Sequence, residues 1–281
     1  MKLVRYGPAG AEKPGLIDHN GGLRDLSAHV ADIGGAALAP AELARLGALD
    51  TAGLPAVGGE PRLGPPVAGI GKIIAVGLNY ADHAAETGAA IPTEPILFSI
   101  AISALNGPHD PIVMPLTGEK VDWEAELALV IGTTAKNVAE ADALDHVAGY
   151  CVGNDVSERE FQKNRGGDWM KGKSADSFFP LGPWLVTRDA VPEPENLRIW
   201  LDVNGERMQD SSTDQMIFGV AHLVAYVSEF MSLQPGDVIT TGTPPGVGAG
   251  RKPPRFLAPG DVVELGIEGL GVQRQEVVAP R

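Results

Sequence analysis

The segment 121–132, VDWEAELALVIG, constrains the fold more than any other stretch of the chain. It opens with polar and apolar residues in alternation and ends in an unbroken apolar run. That is the pattern of a strand entering a core that is covered on both faces. IIAVGLNY (73–80) and VAGYCVGND (147–155) read as further buried strands, and ILFSIAISA, DPIVMP, DVITTGTPPGVG and DVVELGIEGLG as additional strands with glycine turns. With 36 glycines and 23 prolines, the chain must turn often, which excludes a long helical bundle. Helical composition is confined to a few places. Pro40 to Leu49 is rich in Ala and Leu, ADHAAETG (81–88) places Gly88 in a stopping position, and VSEREFQKN follows a strand. Between Met216 and Met231, Val220, Leu223, Val224, Val227 and Met231 recur at helical spacing and mark a core-facing helix. The expected class is α+β, rich in β structure.

A length of 281 residues allows one large domain or two. Residues 1–65 read as a small N-terminal domain, with short strands at Met1–Tyr6 and Gly15–Ile17 and a tight turn at His19–Gly22. The Gly/Pro connector AVGGEPRLGPPVAGIG (56–71) ends it, and the main body runs from 70 to 281. A formal net charge of −14 argues against nucleic-acid binding, and no basic membrane-surface patch is present. An acidic balance also suits a site that holds a cation. The single cysteine, Cys151, permits neither an internal disulfide nor a cysteine zinc site and reads as a small buried residue. The first ten residues lack the apolar core of a signal peptide, and no run of 18 apolar residues occurs, so the expected location is the cytoplasm.

Four clusters carry possible chemistry. On a continuous strand, Asp122, Glu124 and Glu126 share one face. A lone E-x-E is ordinarily a solvated face, but here it runs into the core, and adjacent carboxylates repel unless a cation or protons compensate. Asp155, Arg159 and Gln162 are spaced i, i+4, i+7, so in a helix they line one side; a capping aspartate with a surface ion pair fits equally well. His83 and Glu86, at i, i+3, have the spacing of a carboxylate-oriented general base, and also of a surface pair. Lys171 and Lys173 repel unless one faces a site and the other solvent. His109 and His222 have no such neighbour. TGTPPGVGAG (241–250) is not a phosphate loop, because the Lys-Ser/Thr ending is missing and Pro253-Pro254 forbid the following helix. No G-x-S-x-G elbow occurs, which argues against a serine hydrolase.

Taken in order, NYADHAAE, DWEAEL, GNDVSEREFQ, KGKSADSFFPLGP and TGTPPGVG resemble the fumarylacetoacetate hydrolase superfamily over roughly residues 70 to 275. The resemblance implies a mixed β-roll catalytic domain behind a small N-terminal domain, in a homodimer. It places Glu124, Glu126 and Asp155 as ligands of Mg²⁺ or Mn²⁺, ions that prefer oxygen donors. It places His83 and Glu86 as the water-activating dyad and Lys173, rather than Lys171, as the catalytic lysine. Arg159, Gln162, Thr243 and Tyr80 face the substrate, and Asp122 supports the ligands without joining them. Relatives usually carry a lysine two residues after the phenylalanine at Phe98; here Ile100 stands there.

The implied activity is hydrolysis of a C–C bond in a 2,4-diketo acid, giving pyruvate and a second acid, with Lys173 and Gln162 steadying an oxyanion. KGKSADSFFPLGPWLVT and GIEGLGVQRQ are most similar to a bacterial branch acting on sugar acids such as 2,4-diketo-3-deoxy-L-rhamnonate, whose members are often labelled ureidoglycolate lyase. Isomerase or decarboxylase chemistry on 2-oxo or dienoic diacids is the alternative within the fold. A non-catalytic metal-binding protein is the alternative outside that chemistry.

Overall fold

The computed structural model describes residues 1–280. Its longer strands, in chain order, are β1 (Lys2–Tyr6), β2 (Lys13–Ile17), β3 (Leu23–Asp25), β4 (Ile73–Gly77), β5 (Ile96–Ile100), β6 (Ala125–Ile131), β7 (Val147–Asn154), β8 (Phe179–Thr187), β9 (Arg198–Val203), β10 (Glu206–Ser212), β11 (Val238–Thr240), β12 (Val262–Ile267) and β13 (Gly271–Val278). The α-helices are α1 (Pro40–Gly47), α2 (Ala81–Thr87), α3 (Arg159–Lys163), α4 (Trp169–Lys173) and α5 (Val220–Phe230).

The main sheet has the order β3-β2-β1-β8-β7-β6-β11-β4-β5. β6 and β7 occupy its centre, and every residue of both is buried. Burial on both faces is what the unbroken apolar run demands. Leu127, Leu129 and Ile131 alternate with Ala128 and Val130, and all are fully buried. At roughly 25 cal/mol per Å² of apolar surface, each such leucine stabilises the fold by about 2 kcal/mol. A second sheet, β10-β9-β12-β13, packs beside the first. α5 turns Val220, Leu223, Val224 and Val227 inward as its spacing requires, and ends at Phe230, with Met231 as an extended cap residue.

The strands of the first 65 residues continue the main sheet, because β1 pairs antiparallel with β8 through Lys2↔Val186 and Leu3↔Leu185. Arg62 ties this region to the body by pairing with Glu12 and Asp110.

Two local expectations change. The segment 121–132 is not one strand. Val121–Asp122 pairs with Ser157–Glu158, and β6 starts only at Ala125. The helix in VSEREFQKN begins at Arg159, and its cap is Glu158, whose side chain accepts the Phe161 N–H, not Asp155.

Candidate active site

The break before β6 sorts the three acids. Asp122 turns away from its neighbours and is wholly buried. It accepts the Gly248 N–H at 2.6 Å, the Ala249 N–H at 3.0 Å and the Arg159 Nε–H at 2.8 Å. Those three donors draw it out of line with Glu124 and Glu126, so the shared face expected for all three acids holds only for the last two. Glu124 and Glu126 line a cavity of about 320 Å³ together with Asp155 from the end of β7. Their ligand oxygens, one from each, lie within 4.8 Å of one another.

Asp155 and Arg159 do not lie on one helix face as the spacing suggested. Asp155 arrives from the strand end and Arg159 opens α3. The intervening segment, held by the pairing of Ser157–Glu158 with Val121–Asp122, brings both to the same cavity, with Gln162. Arg159 Nη2 donates to Glu124 at 2.6 Å, and its Nη1 donates to Gln162 Oε1 at 3.0 Å. α4 approaches α3 closely at Gly172, where a Cβ would sit 2.5 Å from the Gln162 Cβ. That approach lets Lys173, 1 % exposed, reach in while Lys171 stays outside on the Arg165 carbonyl.

Lys173 Nζ lies 2.6 Å from Glu124 Oε2 and 2.6 Å from Asp155 Oδ2. It is thus directed at two carboxylates of the same cavity that it lines itself. Gln162 reaches that cavity as well. Its Oε1 is held by Arg159, and among the described residues its amide nitrogen has no acceptor. Thr243 lines the cavity, but its hydroxyl donates to the Ala125 carbonyl and accepts from Gln209. Tyr80, expected at the substrate, is fully buried and is not part of the cavity wall.

The electrostatics follow from burial. Burial opposes charge on Glu124, yet Lys173 and Arg159 overcome it and hold the carboxyl down to about 2. Burial lifts Asp155 to about 6, with Lys173 pulling the other way and Glu124 adding to the rise. Burial, then Asp155 and Glu124, push Glu126 well above the usual range. Asp122, Glu124, Glu126 and Asp155 are four buried acids facing two buried cations, Arg159 and Lys173. Two formal negative charges are left over. Asp155 Oδ1 is buried with no hydrogen-bond partner among the described residues. An all-oxygen set with an orphaned carboxylate oxygen and that charge deficit fits a hard divalent cation.

His83 lines the same cavity from α2, and its Nδ1 lies 3.1 Å from Glu86 Oε2. Glu86 is fixed from behind by the Gly246 N–H at 3.2 Å. Gly242 N–H donates to Glu126 at 2.9 Å, and the Thr240 hydroxyl donates to the same Oε2. The glycine-rich 241–250 loop thus spends its amide donors on Glu126, Glu86 and Asp122, which accounts for a phosphate-like composition without a phosphate site.

Residues 72–278 match the family described as fumarylacetoacetate (FAA) hydrolase, C-terminal. The chain belongs to the fumarylacetoacetate hydrolase family. A Burkholderia ambifaria protein named "Putative hydrolase" is 61 % identical over 276 residues, covering 98 % of each chain. The structure of a fumarylacetoacetate hydrolase from psychrophilic Exiguobacterium antarcticum superposes with a TM-score of 0.87 at 37 % identity, covering 99 % of both chains. A maleylpyruvate hydrolase from Sphingobium sp. SYK-6, solved with manganese(II) and pyruvate, gives 0.83 at 32 % identity over 100 % of each. A 5-carboxymethyl-2-hydroxymuconate delta-isomerase from Mycobacterium smegmatis gives 0.78 at 33 % identity, again over 100 % of each.

As a fumarylacetoacetate hydrolase family enzyme, the chain has a sheet-rich α+β fold, and among the described residues no helix is long and apolar enough to cross a membrane. Ile100, where the resemblance suggested a lysine, is 3 % exposed in β5 and outside the cavity lining. The residue patterns did not single out the cavity's apolar wall, formed in part by Leu78, Phe98 and Trp169. Phe98 and Trp169 meet edge to face at 5.2 Å. No local spacing links these three residues, so only the fold reveals them.

Proposed function

We propose that this protein hydrolyses a carbon–carbon bond in a 2,4-diketo acid of the acylpyruvate type, using Mg²⁺ or Mn²⁺ and releasing pyruvate and a second acid. One observation carries the reading: the buried Glu124–Glu126–Asp155 cluster and His83, which is paired with Glu86, line one cavity. Glu124, Glu126 and Asp155 would hold the metal, which when bound supplies Lewis acidity toward the substrate's 1-carboxylate and 2-oxo oxygens.

The chain's own groups account for the proton movements. With Nδ1–H donating to Glu86, the basic nitrogen of His83 is Nε2, and it takes a proton from water as the water oxygen attacks C4. The Gln162 amide donates to the oxygen at C4 as charge builds there. The C3–C4 bond then breaks, its electron pair leaves with the pyruvate unit, and C3 takes up the proton held at His83 Nε2. Lys173 and Arg159 keep Glu124 ionised throughout.

Pyruvate release from a panel of acylpyruvates, with EDTA and then with Mg²⁺ or Mn²⁺ restored, tests the reading. Metal-dependent pyruvate supports it. No pyruvate from any member of the panel sinks it. A second reading, isomerisation of a dienoic diacid, is supported by the similarity to the Mycobacterium smegmatis isomerase and predicts a shift in substrate absorbance without pyruvate. The homodimer suggested by the family resemblance belongs to the same proposal, and light scattering tests it.

A further inference from the structure

The cavity has one feature that neither the metal cluster nor the His83–Glu86 pair uses. Lys163, the last residue of α3, lines its mouth and is exposed. It lies four residues beyond Arg159, hence about one turn further along the same helix face. The other cations of this helix pair are all engaged. Arg159 pairs with Asp122 and Glu124, Lys173 with Glu124 and Asp155, Lys171 with the Arg165 carbonyl, and Arg165 covers the Phe161 ring at 5.0 Å. Among the described residues, Lys163 alone in this group has neither a carboxylate or carbonyl partner nor an aromatic ring beneath it.

Burial gives the cavity a direction, from the enclosed carboxylates at its floor to exposed Lys163 at its mouth. The cavity's lining also includes Val76, Leu78, Phe98, Trp169 and Val247. An arm bearing several hydroxyls would leave them desolvated and unpaired against such walls. An apolar or conjugated arm fits them.

We propose that Lys163 is a specificity-determining residue that pairs with an anionic group at the far end of the substrate's acyl arm, so that the preferred substrate is a diacid. The proposal rests on the acylpyruvate reading above. In an acidic protein, an unpaired cation at the mouth of a low-dielectric cavity also draws anions toward it.

The test uses the full chain loaded with Mn²⁺ and two acylpyruvates of equal arm length, one ending in a carboxylate and one in a primary amide. The quantity read is the ratio of their kcat/KM values in the native protein, Lys163→Gln and Lys163→Arg. The expected ratio favours the carboxylate by about fivefold, is lost in the Gln variant, is kept in the Arg variant, and shrinks as salt rises. A ratio unchanged by Lys163→Gln overturns the proposal. If neither compound releases pyruvate, the acylpyruvate reading fails, and calorimetric binding of the same two compounds then decides the role of Lys163. Tighter binding of the carboxylate that disappears in Lys163→Gln supports it; equal binding of the two overturns it.

Discussion

Lys173 donates to Asp155 Oδ2 at 2.6 Å, while Asp155 Oδ1, equally buried, has no partner among the described residues. One half of the carboxylate is neutralised and the other half is unpartnered, in a cluster whose ligand oxygens lie within 4.8 Å of one another. The expected consequence is a single divalent-cation site per chain. Titration of Mn²⁺ followed by electron paramagnetic resonance should show it, and Asp155→Asn or Glu126→Gln should weaken it at least about tenfold by removing one charged ligand. Unchanged affinity in both variants would place the ion elsewhere.

The same carboxylates set a pH dependence. Asp155 is lifted to about 6 in the folded chain, above the ordinary aspartate value of 3.8. As pH rises between those values, the unfolded chain gives up this proton first, so the folded state holds more protons and loses stability. Glu126, raised in the same direction, extends the loss to higher pH. Glu124, held at about 2, acts oppositely, but its contribution is complete above the ordinary glutamate range. A bound cation replaces the protons on Asp155 and Glu126. The rise in melting temperature on adding Mn²⁺ should therefore grow from about pH 5 to about pH 7. A metal-induced rise that is flat across that interval contradicts the assignment.

Asp122 should matter for stability more than its absence from the cavity lining suggests. It alone joins Arg159 to the backbone of Gly248 and Ala249. Asp122→Ala leaves a buried guanidinium short of one partner and three amides, of Trp123, Gly248 and Ala249, without acceptors. Urea unfolding should register a loss of about 3 kcal/mol. A loss below about 1 kcal/mol would mean that the loop and Arg159 are held by other contacts.

Removing the imidazole should separate chemistry from metal binding. His83→Ala should lower kcat by about 10²- to 10⁴-fold and leave Mn²⁺ affinity within about twofold, because His83 is outside the carboxylate cluster. Glu86→Gln should show a smaller loss of kcat and a shifted pH profile, since the amide still accepts from Nδ1–H without stabilising an imidazolium. Stopped assays for pyruvate, run beside the Mn²⁺ titration, distinguish the two effects. Wild-type turnover in His83→Ala would remove the imidazole from the mechanism.

Much of this arrangement was legible in the chain because the relevant spacings are short. His83 and Glu86 sit within one helical turn, and their contact forms as the i, i+3 rule requires. The apolar runs at 73–77, 125–131 and 147–154 specified the buried strands, since period and length identify a strand covered on both faces. Glu124 and Glu126 stayed on one side because the chain passes extended from one to the next.

Tertiary contacts decided the rest. Asp122 left that face because donors more than a hundred residues away, at Gly248 and Ala249, capture it. Asp155 came beside Arg159 through a strand end and a turn, not along a helix. Lys173 was committed to two carboxylates that neither its own segment nor its spacing from Lys171 reveals. By itself the sequence determined which strands are buried and that His83 meets Glu86, because alternation and helical period act over a few residues; the contact of His222 with Glu140, where the sequence showed no neighbour, forms only across 82 residues of chain. Only the tertiary structure decided which acids converge, which cations neutralise them and which cation is left at the mouth. Those outcomes depend on desolvation and Coulomb interactions between groups that meet only after the two sheets have packed.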